Sequence, residues 1–306
     1  MFALVGGVST PAIARSAPPA TVLATGTTTG TTTAGGSVLP AAVPVALPAA
    51  ARRAPEVYGR ATFLLDVSSG KALLDENAAD RLPIASLTKV MTAYVVLREA
   101  KLTDVVQVTG ADVSHADDNG GTSADLRPGD RVPVGELLYG LMLPSGADAA
   151  HALARTYGPG VEGFVAKMNA TARGLGLADT RYVNPDGLPM SGGDGYSTAR
   201  DQARLAAAAL RDATFREVTS TETHSVDATD GHGAYTWTNT NHLLGDPGVL
   251  GVKTGFTNAA GYCLTFAADR DGRRLVGVIL GEDVSSRRFS TAESLLDWAA
   301  DDSTSS

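Results

Sequence analysis

Pro83-Ile84-Ala85-Ser86-Leu87-Thr88-Lys89-Val90-Met91-Thr92-Ala93-Tyr94 is a proline-announced helix start that carries a serine and a lysine three residues apart. At spacing i, i+3 two side chains lie one above the other on one helical face, so the amine of Lys89 is within reach of the Ser86 hydroxyl. Leu87, Val90, Met91, Tyr94, Val95, Val96 and Leu97 make the helix apolar almost all round, the pattern of a helix buried on every side. Burial disfavours the ammonium form of a lysine, which lets Lys89 act as a base toward the serine. Free N–H groups and the positive dipole end at the helix start favour negative charge there. The same two residues also fit a capping serine with a lysine snorkelling to solvent.

Outward from this stretch, the composition describes a globular chain. Its 306 residues are 43% hydrophobic and 19% charged, enough for a substantial core. A formal net charge of -8 supplies no basic footprint for nucleic acid or anionic lipid. The single cysteine, Cys263, excludes an internal disulfide framework and reads as packing within a strand. Residues 1–55 are nearly devoid of charge and rich in Ala, Thr, Gly and Pro, a composition that buries too little surface to order itself. Phe2 to Val8, followed by Ala12-Ile13-Ala14, has the look of an apolar signal region and its cleavage site, without the positively charged start. Its apolar runs are too short and too broken for a spanning helix, and no anchor is expected. Residues 56–301 are expected to form the folded unit, with 302–306 as a tail.

Within that unit, Ala61 to Val67, the turn Ser68-Ser69-Gly70 and Lys71 to Leu74 predict a hairpin leading into the central helix. The helix fades after Glu99. Val105 to Val108 reads as a short strand in a loop-rich stretch that extends to Gly129. Val134 to Leu210 is mainly helical, with stops at Pro144, at Gly158-Pro159-Gly160 and at Asn184-Pro185-Asp186-Gly187-Leu188-Pro189. From Tyr235 strands return at 249–254, 262–268 and 275–280, before a last amphipathic helix from Phe289 to Ala300.

Two more short patterns join the first. Leu143-Pro144-Ser145-Gly146-Ala147 puts a serine on a turn between two helices, where it is also placed to cap the second. Gly251-Val252-Lys253-Thr254-Gly255-Phe256 ends a strand with a lysine, a threonine and a glycine. S-x-x-K, S-G-x and K-T-G in this order, on these element types, are far more specific together than singly. From about Tyr58 to Ala300 the chain resembles the serine D,D-peptidases, the low-molecular-mass penicillin-binding proteins that act as D-alanyl-D-alanine carboxypeptidases. Phe164 to Asn169, Leu175-Gly176-Leu177, Asn184 to Leu188, Tyr196 to Asp201 and Asn239-Thr240-Asn241 extend the likeness.

The resemblance implies the α/β plus all-α fold of the β-lactamases and transpeptidases, an antiparallel sheet from both chain ends packed on a helical middle region. It implies Ser86 as nucleophile, Lys89 as its base and Ser145 as proton relay to the leaving D-alanine. Lys253 would set the field of the cleft, and Thr254 would bind the terminal carboxylate. Gly255 would let the substrate approach the strand, and the N–H groups of Ser86 and Phe256 would form the oxyanion hole. Arg288, with Arg287 beside it, is the candidate for a second carboxylate contact. The implied partners are peptidoglycan stem peptides and β-lactam antibiotics, outside the cytoplasm and in loose association with the wall, with neither metal nor organic cofactor.

Where much of the family has asparagine to complete S-x-N, this chain has Ala147, which cannot hydrogen-bond substrate or orient the lysine. That departure motivates a competing expectation, a wall-binding or β-lactam-binding protein without turnover. The loop around Asn184 to Gly187 offers no E-x-x-x-N, so a penicilloyl-enzyme is expected to be long-lived. G-x-S-x-G and H-E-x-x-H are absent. His224, His232 and His242, among Asp227 and Asp230, fit no common metal spacing and read as decoration of a polar loop.

Overall fold

The structure is a computed structural model that describes residues 53–301. The signal-like and Ala/Thr/Pro-rich segment up to residue 52 and the tail 302–306 lie outside the described residues. The predicted hairpin is present as β1 (Ala61–Asp66) and β2 (Lys71–Glu76), paired antiparallel. Asp66 closes its turn by accepting from the N–H groups of Ser68 and Ser69. Beyond a short 3-10 turn, Ala85–Leu87, the first helix α1 runs from Thr88 to Glu99 and is buried along most of its length.

The late strands β7 (Val249–Thr257), β8 (Gly261–Arg270) and β9 (Arg273–Glu282) join the hairpin in a five-stranded sheet ordered β2-β1-β9-β8-β7. All pairings are antiparallel, and Ala61 at one chain end lies opposite Leu280 at the other. Alternate residues divide between two cores, as the period of a strand requires. Phe63, Cys263, Ala267, Val276 and Val278 face the helical middle, while Leu64, Leu264, Phe266, Leu275 and Ile279 face the last helix, α8 (Arg287–Asp301). Each fully buried apolar side chain of this size stabilises by about 2 kcal/mol. Cys263 is fully buried, and burial raises its thiol pKa to about 11.

The middle region holds α3 (Val134–Met142), α4 (Ala147–Tyr157), α5 (Gly160–Gly174) and α6 (Ala199–Ala209), and α6 lies against β1 and β9. It begins earlier than the sequence reading put it. After β3 (Val105–Gln107), which pairs with β4 (Arg131–Pro133), the expected loop contains α2, Gly110–Asp118. A reciprocal capping box starts that helix, with Thr109 and Asp112 each bonding the other's backbone N–H. The helical region also continues past Leu210 into α7 (Ala213–Ser220), capped by Asp212. A small hairpin, β5 (Thr223–Val226) with β6 (Tyr235–Thr238), follows.

Those corrections change the reading of the histidines. His224 lies 2.6 Å from Glu136 and stacks on Tyr139, His232 is buried beside Tyr235, and His242 stacks on Phe289. They are packing groups of separate contacts rather than ornaments of one polar loop. Among the described residues no cluster of three His, Cys, Asp or Glu side chains has the arrangement a metal ion needs.

Candidate active site

Ser86 sits on the 3-10 turn and Lys89 on the first turn of α1, so the i, i+3 spacing is realised across the junction. Lys89 Nζ lies 3.0 Å from Ser86 Oγ and donates at 3.0 Å to the backbone carbonyl of Asp186. The lysine is 1% exposed, whereas Ser86 is half-buried and open to the cleft. Burial pulls the Lys89 pKa down from 10.5 to about 8, against the opposing pull of Asp186 and Asp148. The snorkelling alternative is therefore set aside: the amine points inward and is held there by two oxygen atoms.

The loop behind this pair is built from Asn184-Pro185-Asp186-Gly187-Leu188. Asn184 bridges it, taking the Gly187 N–H at 2.7 Å and donating to the Leu188 carbonyl at 2.7 Å. Thr92 of α1 donates to the Pro185 carbonyl at 2.5 Å. Gly187 has φ +83, and a Cβ there would stand 1.8 Å from the Ala85 carbonyl oxygen, so only glycine lets the loop press on the serine turn. Ala85 itself is held at φ +48, a conformation that costs a non-glycine residue about 1 kcal/mol.

Ser145 lies between α3 and α4 at φ +69 and is 7% exposed. Its turn is tied down from both sides: Gly146 donates to the Gly140 carbonyl and Ala147 to the Thr122 carbonyl. One residue on, Asp148 is fully buried and accepts from the N–H groups of Ala124 and Leu126 and from Ser123. Ala147 is fully buried as well. Lys89 is oriented by Ser86 and Asp186 without help from this position, which removes one ground for the reading without turnover.

The K-T-G stretch does not end its strand, because β7 continues to Thr257 at the edge of the sheet. Gly255 is the point of closest approach to the serine turn: a Cβ there would stand 3.1 Å from Ser86 N and 3.2 Å from the Ile84 carbonyl. Its lack of a side chain thus admits the chain's own turn, a neighbour the resemblance did not name. Lys253 is 1% exposed and donates to the Thr254 carbonyl at 3.0 Å. Burial, and then the charges of Lys89 and Arg288, push its pKa well below the ordinary lysine value. The Phe256 side chain is half exposed and stacks on Tyr262.

Arg288 approaches β7 from α8 and is 8% exposed. Its Nη1 donates to the carbonyls of Gly255 and Cys263, at 3.1 and 3.2 Å. Arg287 points elsewhere, to Glu282 and Asp283, so of the two arginines Arg288 is the one on the K-T-G strand. Thr240 was not singled out from the sequence. Its hydroxyl lies 2.6 Å from that of Thr254, and its N–H donates to the Leu143 carbonyl at 3.2 Å, which links the Ser145 turn to β7. The stretch Asn239-Thr240-Asn241 carried the signal, as part of the resemblance without assigned chemistry.

A serine hydroxyl against a buried lysine, walled by an edge strand with a second buried lysine, is the arrangement of a serine acyl-transfer site. A family model described as peptidase S11, D-alanyl-D-alanine carboxypeptidase, matches residues 48–284, and the chain belongs to this family. It is 37% identical to a D-alanyl-D-alanine carboxypeptidase of a Streptomyces species, over 80% of this chain and 88% of that protein. It is 38% identical to the carboxypeptidase DacC of Escherichia coli over 80% of its own length but only 62% of that longer relative. The crystal structure of a Streptomyces DD-transpeptidase superposes with a TM-score of 0.76 at 36% identity, covering 81% of this chain and 98% of that one. A D-alanyl-D-alanine carboxypeptidase structure from Mycobacterium tuberculosis gives 0.74 at 34% identity, covering 82% and 94%.

Proposed function

We propose that residues 56–301 form a serine D,D-carboxypeptidase that removes the terminal D-alanine from peptidoglycan stem pentapeptides, outside the cytoplasm. Among the described residues no helix is long and apolar enough to cross a membrane. The observation that carries the reading is the 3.0 Å contact between Ser86 Oγ and an amine whose pKa is held at about 8. The neutral Lys89 amine takes the hydroxyl proton as Ser86 Oγ attacks the carbonyl of the penultimate D-alanine. The N–H groups of Ser86 and Phe256 receive the oxyanion, and Gly255 brings the two strands of backbone close enough to share it. Ser145 passes a proton to the departing D-alanine amine, and water then hydrolyses the ester on Ser86. Thr254, steadied by Thr240, and Arg288 meet the substrate carboxylate, with Lys253 as a nearby cation when protonated.

A β-lactam follows the same first step and leaves an ester on Ser86. The one carboxylate on the loop behind Lys89, Asp186, is already bound to His115 and to the Leu188 N–H, so it is not free to activate water. The amine expelled from a β-lactam also stays tethered to the acyl group, where D-alanine departs and leaves room for water, so the penicilloyl-enzyme is expected to persist. The test is release of D-alanine from a peptide ending in D-Ala-D-Ala, by the parent protein beside Ser86→Ala, with intact mass after penicillin as the companion measurement. Release and a stable mass increase in the parent alone are expected. A folded parent that does neither overturns the reading.

A further inference from the structure

Behind the serine and lysine lies a group of charged side chains that the acyl-transfer steps leave unused. Asp186 is fully buried. Its Oδ2 is 2.6 Å from His115 Nε2, its Oδ1 accepts from the Leu188 N–H, and its backbone carbonyl accepts from Lys89. His115 stands on α2 with its side chain 20% exposed, which gives the buried pair an edge in solvent. From α4 it is stacked on by His151 at 4.6 Å, and on its own helix it faces Asn119 and Asp112. Arg155 and His151 both bind Asp112, so that carboxylate is already matched. Lys89 faces Asp186 from the loop, Asp148 from α4 and Lys253 from β7.

We propose that His115 is a positioning residue for acyl transfer: it holds Asp186 in place, and its protonation decides how much of that carboxylate's charge reaches Lys89. The inference rests on the reading of Lys89 as the base. A carboxylate in a dry site raises the pKa of a neighbouring lysine, and a cation bound to that carboxylate cancels most of the effect. With its proton, His115 makes the pair nearly neutral, and the burial of Lys89 is opposed by Asp148 alone. Without it, Asp186 stands bare beside Lys89 and favours the ammonium form, which cannot take the serine proton. The hydrogen bond to Asp186 raises the His115 pKa, while burial and the Lys89 charge oppose it. Burial alone would push Asp186 up, but His115, Lys89 and the Leu188 N–H together outweigh it and keep the carboxylate ionised. The lysine is thereby informed of solvent pH through a neighbour that solvent reaches.

The experiment is the pH profile of kcat/KM for D-alanine release across about pH 6 to 10, in His115→Gln, Asp186→Asn and the double variant. Glutamine keeps a donor toward Asp186 but carries no charge. In His115→Gln the acid limb is expected to move up by about half a pH unit or more, and in Asp186→Asn to move down. The effect of removing His115 should shrink in the Asp186→Asn background. A loss of rate with the limb unmoved in both single variants overturns the proposal, since a purely structural role lowers the plateau only. Independently of turnover, an NMR titration of the His115 ring should show its midpoint raised by Lys89→Met and lowered by Asp186→Asn. A midpoint indifferent to both also overturns it. A parent that releases no D-alanine at any pH tells against the carboxypeptidase reading, and the ring titration then decides the coupling by itself.

Discussion

Lys89 and Lys253 are buried alike, each 1% exposed, the first on α1 and the second on β7, the strand that walls the serine turn. Their surroundings differ. The first touches a hydroxyl and a carbonyl and has two carboxylates near it, which limit its fall in pKa to about 8. The second has one bond, to the carbonyl of the next residue, and the charges acting on it are the cations Lys89 and Arg288. Burial alone therefore does not define a lysine's role; the sign of the charges buried with it does. In the proposed reaction Lys89 gives and takes a proton near neutrality, while Lys253, with no carboxylate against it among the described residues, is left for the anion of the substrate.

The largest effect should come from replacing each lysine by arginine, which keeps the charge but cannot act as a base. Lys89→Arg is expected to lower kcat/KM by at least about a thousandfold, and Lys253→Arg by about ten- to a hundredfold. Equal losses in the D-alanine assay would break the comparison. Next in size, Gly187→Ala attacks the backing of the first lysine alone. Its Cβ would collide with the Ala85 carbonyl, so a loss of about 3 kcal/mol or more is expected in urea unfolding. A variant of parental stability would mean that the loop behind Lys89 yields.

The pH dependence of stability sharpens the same point. The folded pKa of Lys89 is below the unfolded value of 10.5, so between about 8 and 10.5 the unfolded chain holds a proton that the folded one lacks. The contribution of this group to stability therefore rises with pH through that window, by about 3 kcal/mol at most. Urea midpoints of the parent and Lys89→Met at the two ends of the window measure it: the rise should be smaller in the variant. The smallest effect belongs to the other wall. Thr240→Val removes the hydroxyl that steadies Thr254 and should raise KM by about three- to tenfold with kcat little changed. A fall confined to kcat would place Thr240 on the Lys89 side instead.

The sheet, the central helix and the Ser145 turn were legible because strong apolar periodicity and proline or glycine stops marked them. Two elements were not. In α2, Ala111, Val113 and Ala116 are the only apolar side chains among Asp112, Ser114, His115, Asp117 and Asp118. Its one local signal, the Thr109–Asp112 box, is a two-residue pattern easily passed over. His115 was missed with it. The stretch Asp212 to Val226 hid α7 and β5 in the same way, behind a single aspartate cap.

At the site, residues three apart were readable, since a helix junction brings them together whatever the rest of the chain does. Partners distant in sequence were not: nothing local in Asn184 to Leu188 announces that the Asp186 carbonyl will meet Lys89, or that Thr240 will meet Thr254. Gly255 was only half legible for a related reason. A glycine in a strand signals close approach without naming what approaches, and here the serine turn is one such neighbour.

The sheet order has a consequence for how the protein comes into being. β1 leaves the ribosome early, yet its inner neighbour is β9, and the strand that closes on the Ser86 turn is β7, made almost as late. An incomplete chain would have both its serine and its lysine and still no cleft, with a half-built hairpin exposing the edge on which it waits. Synthesis thus carries its own safety catch: the surroundings of Ser86 and Lys89 are complete only when the last strands arrive.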